Sequence, residues 1–136
     1  MKRKGTYVLF MHFSRNVRTE AGALGEISLS KGYYCYVGSA MNGLDQRIGR
    51  HISKNKSLRW HIDYLTVVCD NVYAYESTGD FIPECELGAL LQSIGSVPAV
   101  KGFGCSDCGC LTHLYKVEKR RAEELLIANN LTKFVE

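Results

Sequence analysis

No apolar run in this sequence approaches the roughly 20 residues that a membrane-spanning helix needs, which argues against a protein built into the bilayer. The start, MKRKGTYVLFMHFSRNVR, has the basic-then-apolar order of a secretion signal but not its proportions. Its apolar part is short, holds His12 and leads to no small-residue cleavage site, so it reads as a first strand. Charge of one sign is also lacking. A formal net charge of +3 permits a nucleic-acid partner without demanding one, and any basic patch has to arise locally. Repeats, low-complexity tracts and linker-like stretches are missing as well. The 136 residues therefore read as a single domain, 1–136, large enough to bury a core without staples. With 46% apolar and 23% charged residues, the chain has the composition of a globular protein and not of a disordered one.

Six cysteines are present. Cys35, Cys69 and Cys85 stand singly in apolar surroundings, where a thiol packs like a small hydrophobe. Without a secretion signal, a reducing cytoplasmic setting fits them best. Residues 6–13 are apolar on both alternating faces, as in a strand covered on both sides. Residues 14–32 are polar and glycine-bearing and read as a long hairpin connection or a loop. YYCYVGS (33–39) is a second strand rich in aromatics, and NVYAYES (71–77) alternates as a third.

Asn42 reads as the cap of a first helix with Asp45 in its first turn. Leu44, Ile48 and Ile52 make that helix's buried stripe, while Arg47, Arg50, His51 and Lys54 recur on a shared face. Residues 59–68 read as a further helical or mixed segment. Pro83 opens the next helix, with Leu87, Leu90, Leu91 and Ile94 as its apolar face and Gly95 as its stop. A short strand over 113–117 and a helix over 119–130 using Ala122, Leu125 and Leu126 close the chain. The pattern is α+β, a small sheet with helices packed on it.

Tyrosines at the end of a strand followed by cations on a helix are the first chemical signal. A phosphodiester is anionic and its transition state more so, so cleavage needs an activated water, a cation over the non-bridging oxygens and usually a metal ion. Tyr7 and Tyr36 would supply a base or hydrogen bonds, and Arg47 the cation. Strand tyrosines and a solvated basic helix face also occur with no chemistry attached.

Two further constellations stand beside it. In WHIDYL (60–65), Trp60 and His61 can stack on a base or meet a phosphate, or the segment can simply pack inward. Cys105, Cys108, Cys110 and His113 offer four soft ligands in one loop, suited to a tetrahedral zinc or to a packed, thiol-lined loop. The basic KVEKRR run is followed by Glu123 and Glu124 and reads as a solvated helix face.

Gly5-Thr6-Tyr7 followed by Tyr36-Val37-Gly38 resembles the paired strand motifs of the GIY-YIG nuclease superfamily. The helix bearing Arg47 and His51 four residues apart is similar to that superfamily's arginine–histidine helix. The strings YVGSAMNGLDQRIGRH, WHIDYL, PECELGALL and GFGCSDCGCLTHL more specifically resemble its domain-of-unknown-function branch, family 123. Thr6 replaces the usual isoleucine, and the segment from Tyr7 to Tyr36 is longer than in compact members.

The resemblance implies a sheet of about three antiparallel strands flanked by helices, and metal-dependent endonucleolytic hydrolysis of DNA, with RNA the second choice. It implies Tyr7 as general base or its relay, Tyr36 as its orienting neighbour, Arg47 as the charge-stabilising cation and His51 as a hydrogen-bonding partner. It also implies a glutamate holding Mg²⁺ or Mn²⁺: Glu84 by its inward position on the helical wheel, with Glu86 the alternative. Within the short cysteine loop, it makes Cys105 the outlying ligand. Arg50 and Lys54 would guide the nucleic-acid backbone and make binding salt-dependent.

A free phenol titrates near pH ~10, so full ionisation at neutral pH asks for a shift of about three units, or roughly 4 kcal/mol. A metal ion and a guanidinium nearby would supply much of that. Two rivals remain at this level: a non-catalytic nucleic-acid-binding module, and a zinc-binding adaptor built on the cysteine loop. The sequence leaves the oligomeric state open.

Overall fold

The computed structural model describes residues 3–104, 110 and 112–135. The chain runs β1 (Gly5–Phe13), a hairpin of β2 (Val17–Glu20) and β3 (Glu26–Leu29), β4 (Gly32–Ala40), α1 (Leu44–Ile52), α2 (Asp63–Thr66), β5 (Asn71–Ser77), α3 (Glu84–Ser93), β6 (Val97–Pro98), β7 (Leu114–Val117), α4 (Lys119–Ala128) and β8 (Thr132–Lys133). The fold is α+β, as the pattern predicts.

Its main sheet has the order β6-β7-β4-β1-β5-β8, six strands where about three are expected from the sequence. The three expected strands form its centre. β1 lies between β4 and β5, antiparallel to both, with Tyr7 opposite Gly38 on one side and Glu76 on the other. Beyond them lie β7, the short strand expected over 113–117, on the outer edge of β4, and the two-residue strands β6 and β8, which the pattern does not predict. Segments that short leave no readable alternation, so only pairing defines them. The connection over 14–32 is likewise not irregular throughout, because β2 and β3 pair within it as a separate two-stranded sheet.

Both faces of β1 are covered, which explains why its side chains are apolar in both registers. Tyr7, Leu9, Met11 and Phe13 point to one core with Tyr34, Leu44, Ile48 and Leu65. Val8 and Phe10 point to the other, with Cys35, Val37, Leu87, Leu91, Ala122 and Leu126. Helices α1 and α2 therefore cover one face, and α3 and α4 the other.

The start of α1 corrects the expected cap. Gly43, not Asn42, occupies the N-cap position, in a left-handed conformation with φ 98°. The Arg3 carbonyl accepts from the N–H groups of Gly43 and Leu44, so backbone satisfies the helix start and no side-chain cap is made. Arg3 also pairs with Asp45 and, at 2.7 Å, with Glu76. At the far end of the chain, Glu118 caps α4 through Arg121 N–H at 2.8 Å. The basic run there forms i,i+4 pairs, Lys119–Glu123 and Arg120–Glu124, as a solvated face should.

Candidate functional site

β7 pairs with β4 only over Tyr33–Tyr36. Among the described residues the ladder on the outer edge of β4 ends there, followed only by the Val37 N–H donated to the His113 carbonyl, and a cleft of about 350 Å³ opens beyond it. Its floor is Tyr7, Tyr36, Gly38 and Ser39 of the sheet. One wall is Arg47 and His51 of α1 with Arg59, Trp60 and His61 of the following segment, and Glu84 comes in from the start of α3. Tyr7, Tyr36, Arg47, His51 and Glu84, scattered over the sequence, thus face one concavity.

Tyr7 is almost wholly buried, only 2% exposed. It is not sealed off from the site, because it lines the cleft and its hydroxyl lies 2.8 Å from His51 Nε2. Gly38 makes this placement feasible. A Cβ there would sit 2.5 Å from the Tyr7 Cζ and hydroxyl oxygen, so only a glycine lets the phenol lie across β4. Burial pushes the Tyr7 phenol well above its ordinary range, with Tyr36 and Glu84 adding to the shift and Arg47 opposing it by charge and hydrogen bonding. No standing phenolate exists in this state of the protein.

His51 corrects the sequence reading of α1. It lies with Leu44 and Ile48 on the buried face, 1% exposed, and not on the cationic face with Arg47. Burial, reinforced by Lys56, lowers its pKa to about 3, with Asp63 opposing. The imidazole is therefore neutral at pH 7 and can accept the phenolic O–H. Among the described residues its buried Nδ1 has no hydrogen-bond partner, a cost tolerated more readily at a functional site than in a plain core.

The cations divide in an unexpected way. Arg47 donates to the Ser39 carbonyl at 3.3 Å and lies 4.8 Å from the Trp60 ring centroid, which turns it along the cleft wall. Arg50 does not point at the cleft. It grips Asp63 bidentately at 2.7 and 3.0 Å and the Ser57 carbonyl at 2.7 Å. Lys54 is likewise spent on the carbonyls of Thr66 and Cys69, at 2.6 and 2.7 Å. Neither is placed to guide a nucleic-acid backbone, contrary to the expectation. Periodicity located them on a helix face but said nothing of the acceptors folded against it.

Asp63, fully buried, organises this strut. Burial alone would raise its pKa, but hydrogen bonds from Arg50 and the N–H groups of Trp60 and Arg59 prevail and hold it below the usual range. Lys56 donates to the Arg50 and His51 carbonyls at 3.1 and 2.8 Å, closing the end of α1. Trp60, 38% exposed, lines the cleft with a ring contacted by both Arg47 and Arg50, and His61 lines it while packing on Phe103. Arg59 is a cleft residue that the sequence reading missed. It is exposed, and among the described residues its guanidinium has no ion-pair partner.

Glu84 lines the cleft half-buried, whereas Glu86 is exposed and outside the lining. Among the described residues the Glu84 carboxylate makes no hydrogen bond or ion pair. A single uncommitted carboxylate beside a cationic wall fits a hard, largely hydrated divalent ion, which takes one or two protein carboxylates and completes its shell with phosphate and water.

A second cluster lies near this end of α3. Cys85, Cys110 and His113 bring their ligand atoms within 4.8 Å of one another and can hold a metal ion. Cys85 corrects the sequence reading, for it is an exposed thiol in the first turn of α3 and not a core hydrophobe. Cys35 and Cys69 are buried as expected. Cys105 and Cys108 lie outside the described residues. The signal that could have found Cys85 is its place beside Glu84 at a helix start, where its side chain need not share the Leu87–Leu91 stripe.

No helix among the described residues is long and apolar enough to cross a membrane. No curated protein and no solved structure matches this chain. A family model does, over residues 6–136, and the chain belongs to that family, described as domain of unknown function DUF123.

Proposed function

We propose that this protein is a metal-dependent nuclease of GIY-YIG type, hydrolysing nucleic-acid phosphodiester bonds, with DNA the first substrate to try. The observation that carries the reading is the convergence of Tyr7, Tyr36, Arg47, His51 and Glu84 on one open cleft.

With its proton on Nδ1, neutral His51 accepts the Tyr7 O–H through Nε2. Tyr7 then acts as a relay. Its oxygen takes a proton from the attacking water as its own proton passes to His51. The hydroxide formed attacks phosphorus as the P–O bond to the leaving sugar oxygen breaks. That alkoxide takes a proton from solvent water, and His51 returns its proton to solvent to close the cycle. The raised pKa of the phenol favours this route over a preformed phenolate, since the relay never leaves a bare negative charge on the buried ring. Protonated His51 gains from the substrate's negative charge, which offsets the burial that holds it neutral when the cleft is empty. Arg47 stabilises the charge that grows on the phosphoryl oxygens, and the cleft-side phenol of Tyr36 orients the water. Glu84 would hold the divalent ion, which supplies further positive charge against those oxygens. Arg59, in place of Arg50 and Lys54, contacts the flanking backbone.

The test is a cleavage screen on branched, nicked and single-stranded DNA, and on RNA, with Mg²⁺ or Mn²⁺. Wild type runs beside Tyr7→Phe, Arg47→Ala and Glu84→Gln. Cleavage lost in all three supports the assignment, and cleavage surviving both Arg47→Ala and Glu84→Gln overturns it. Binding without cleavage under any divalent ion, unchanged in Tyr7→Phe, identifies a binding module instead.

A further inference from the structure

The cysteine–histidine cluster beside α3 is not needed for the proposed hydrolysis, yet its chemistry is specific. Cys85 Sγ lies 2.8 Å from Cys110 Sγ and 4.0 Å from His113 Nε2. Two thiols and an imidazole form a borderline-soft set, unlike the lone hard carboxylate of the cleft. His113 is pre-positioned for such a role. It is buried, its backbone N–H donates to the Phe103 carbonyl at 2.9 Å, and its backbone carbonyl accepts from the Val37 N–H of β4 at 3.0 Å.

We propose that Cys85, Cys110 and His113 form a zinc site that fastens the first turn of α3 to the strand following the cysteine-rich loop. Each thiol gives up its proton on binding, so two thiolates neutralise the dication and His113 ligates as a neutral imidazole. The described residues supply three of the four ligands that a tetrahedral zinc takes. Thiolates at about 2.3 Å from a tetrahedral zinc stand about 3.8 Å apart, so the two sulfurs must separate by about 1 Å. Cys85 is exposed on the first turn of α3, where its side chain can turn outward to do so.

The consequence is positional. Glu84 precedes Cys85 directly, so metal at Cys85 fixes the end of α3 that carries the cleft carboxylate, while Val37 ties His113 to the strand that bears Tyr36. This consequence rests on the nuclease reading, but the metal binding does not.

The experiment uses the full chain, reduced and stripped of metal, then titrated with zinc and, separately, with cobalt. One zinc per chain is expected, with cobalt giving the strong visible bands of a tetrahedral centre and a thiolate charge-transfer band. Cys85→Ser, exposed and so compatible with folding, should weaken zinc by at least about a hundredfold, more than loss of an outer-shell partner typically does. Cys110→Ser should do the same, and each should diminish the charge-transfer band. A folded, reduced chain that takes up neither metal overturns the proposal. So does a Cys85→Ser chain that holds zinc as tightly as wild type, which would put the metal on other cysteines. Neither readout involves cleavage, so failure here is distinct from failure of the nuclease reading.

Discussion

Arg47 and Arg50 stand about one turn apart on α1, and both contact Trp60, yet they belong to different regions of the molecule. Arg47 belongs to the cleft wall, where it is held by a long hydrogen bond to the Ser39 carbonyl, lies against Tyr7 and has no ion-pair partner among the described residues. Arg50 belongs to the strut behind that wall, where Asp63, the Ser57 carbonyl and the stacked indole use its guanidinium. Tyr7, Glu84 and Arg59 share the first condition, while Lys54, Lys56 and Asp63 share the second. A cation able to receive a substrate has to be positioned without being satisfied, and the strut achieves this by holding Trp60 while leaving Arg47 only loosely tied.

The most direct way to break this contrast is to remove each arginine. Arg47→Ala should lower the cleavage rate by about a hundred- to a thousandfold, as loss of one transition-state donor does, while urea unfolding shows little change. Arg50→Ala should do the reverse. It strands the buried Asp63 carboxylate and should cost about 3 kcal/mol in the same unfolding measurement. Equal stability losses in the two variants would erase the distinction.

Gly38→Ala probes whether the cleft floor is as closely packed as the strut. The new methyl would meet the Tyr7 ring at 2.5 Å, and an overpacking cost of about 2 kcal/mol is expected on unfolding.

The pH dependence of stability tests the neutrality of His51. Its folded pKa of about 3 lies below the ordinary 6.5, so between these values the unfolded chain binds a proton that the folded chain refuses. Its contribution is complete above pH 6.5 and is lost as pH falls toward 3, at about 1.4 kcal/mol per unit within that window. Comparing wild type with His51→Gln by thermal unfolding across this range should show the slope reduced by that amount.

The smallest effect is expected at Glu86. Glu86→Gln lies outside the cleft and should leave stability within about 0.5 kcal/mol and metal-dependent cleavage unchanged, in contrast to Glu84→Gln.

Much of this was legible in the sequence, because it depends on short-range rules. β1, β4 and β5 were readable from their aromatic and branched residues. α1 was readable from the spacing of Leu44 and Ile48, and α3 from Leu87 and Leu91. The edge strands β6 and β8 were not, since two residues carry no period. The face of His51 was misjudged because Arg47 and His51 fall at the i,i+4 spacing of one helix face, but so do Leu44, Ile48 and His51 at i, i+4 and i+7. Only the presence of Tyr7 beneath that stripe decides between them. Cys85 was likewise a lone thiol until the chain brought Cys110 and His113 to it.

The sequence by itself determined the secondary structure of the centre, the two-faced core of β1 and the identity of most cleft groups, because side-chain type and period act locally. Only the tertiary structure decided which of those groups keep unused hydrogen-bonding capacity. A guanidinium or a thiol is spent or available according to what long-range folding lays against it. That is why Arg47 faces the cleft while Arg50 is locked to Asp63, and why Cys85 meets a histidine.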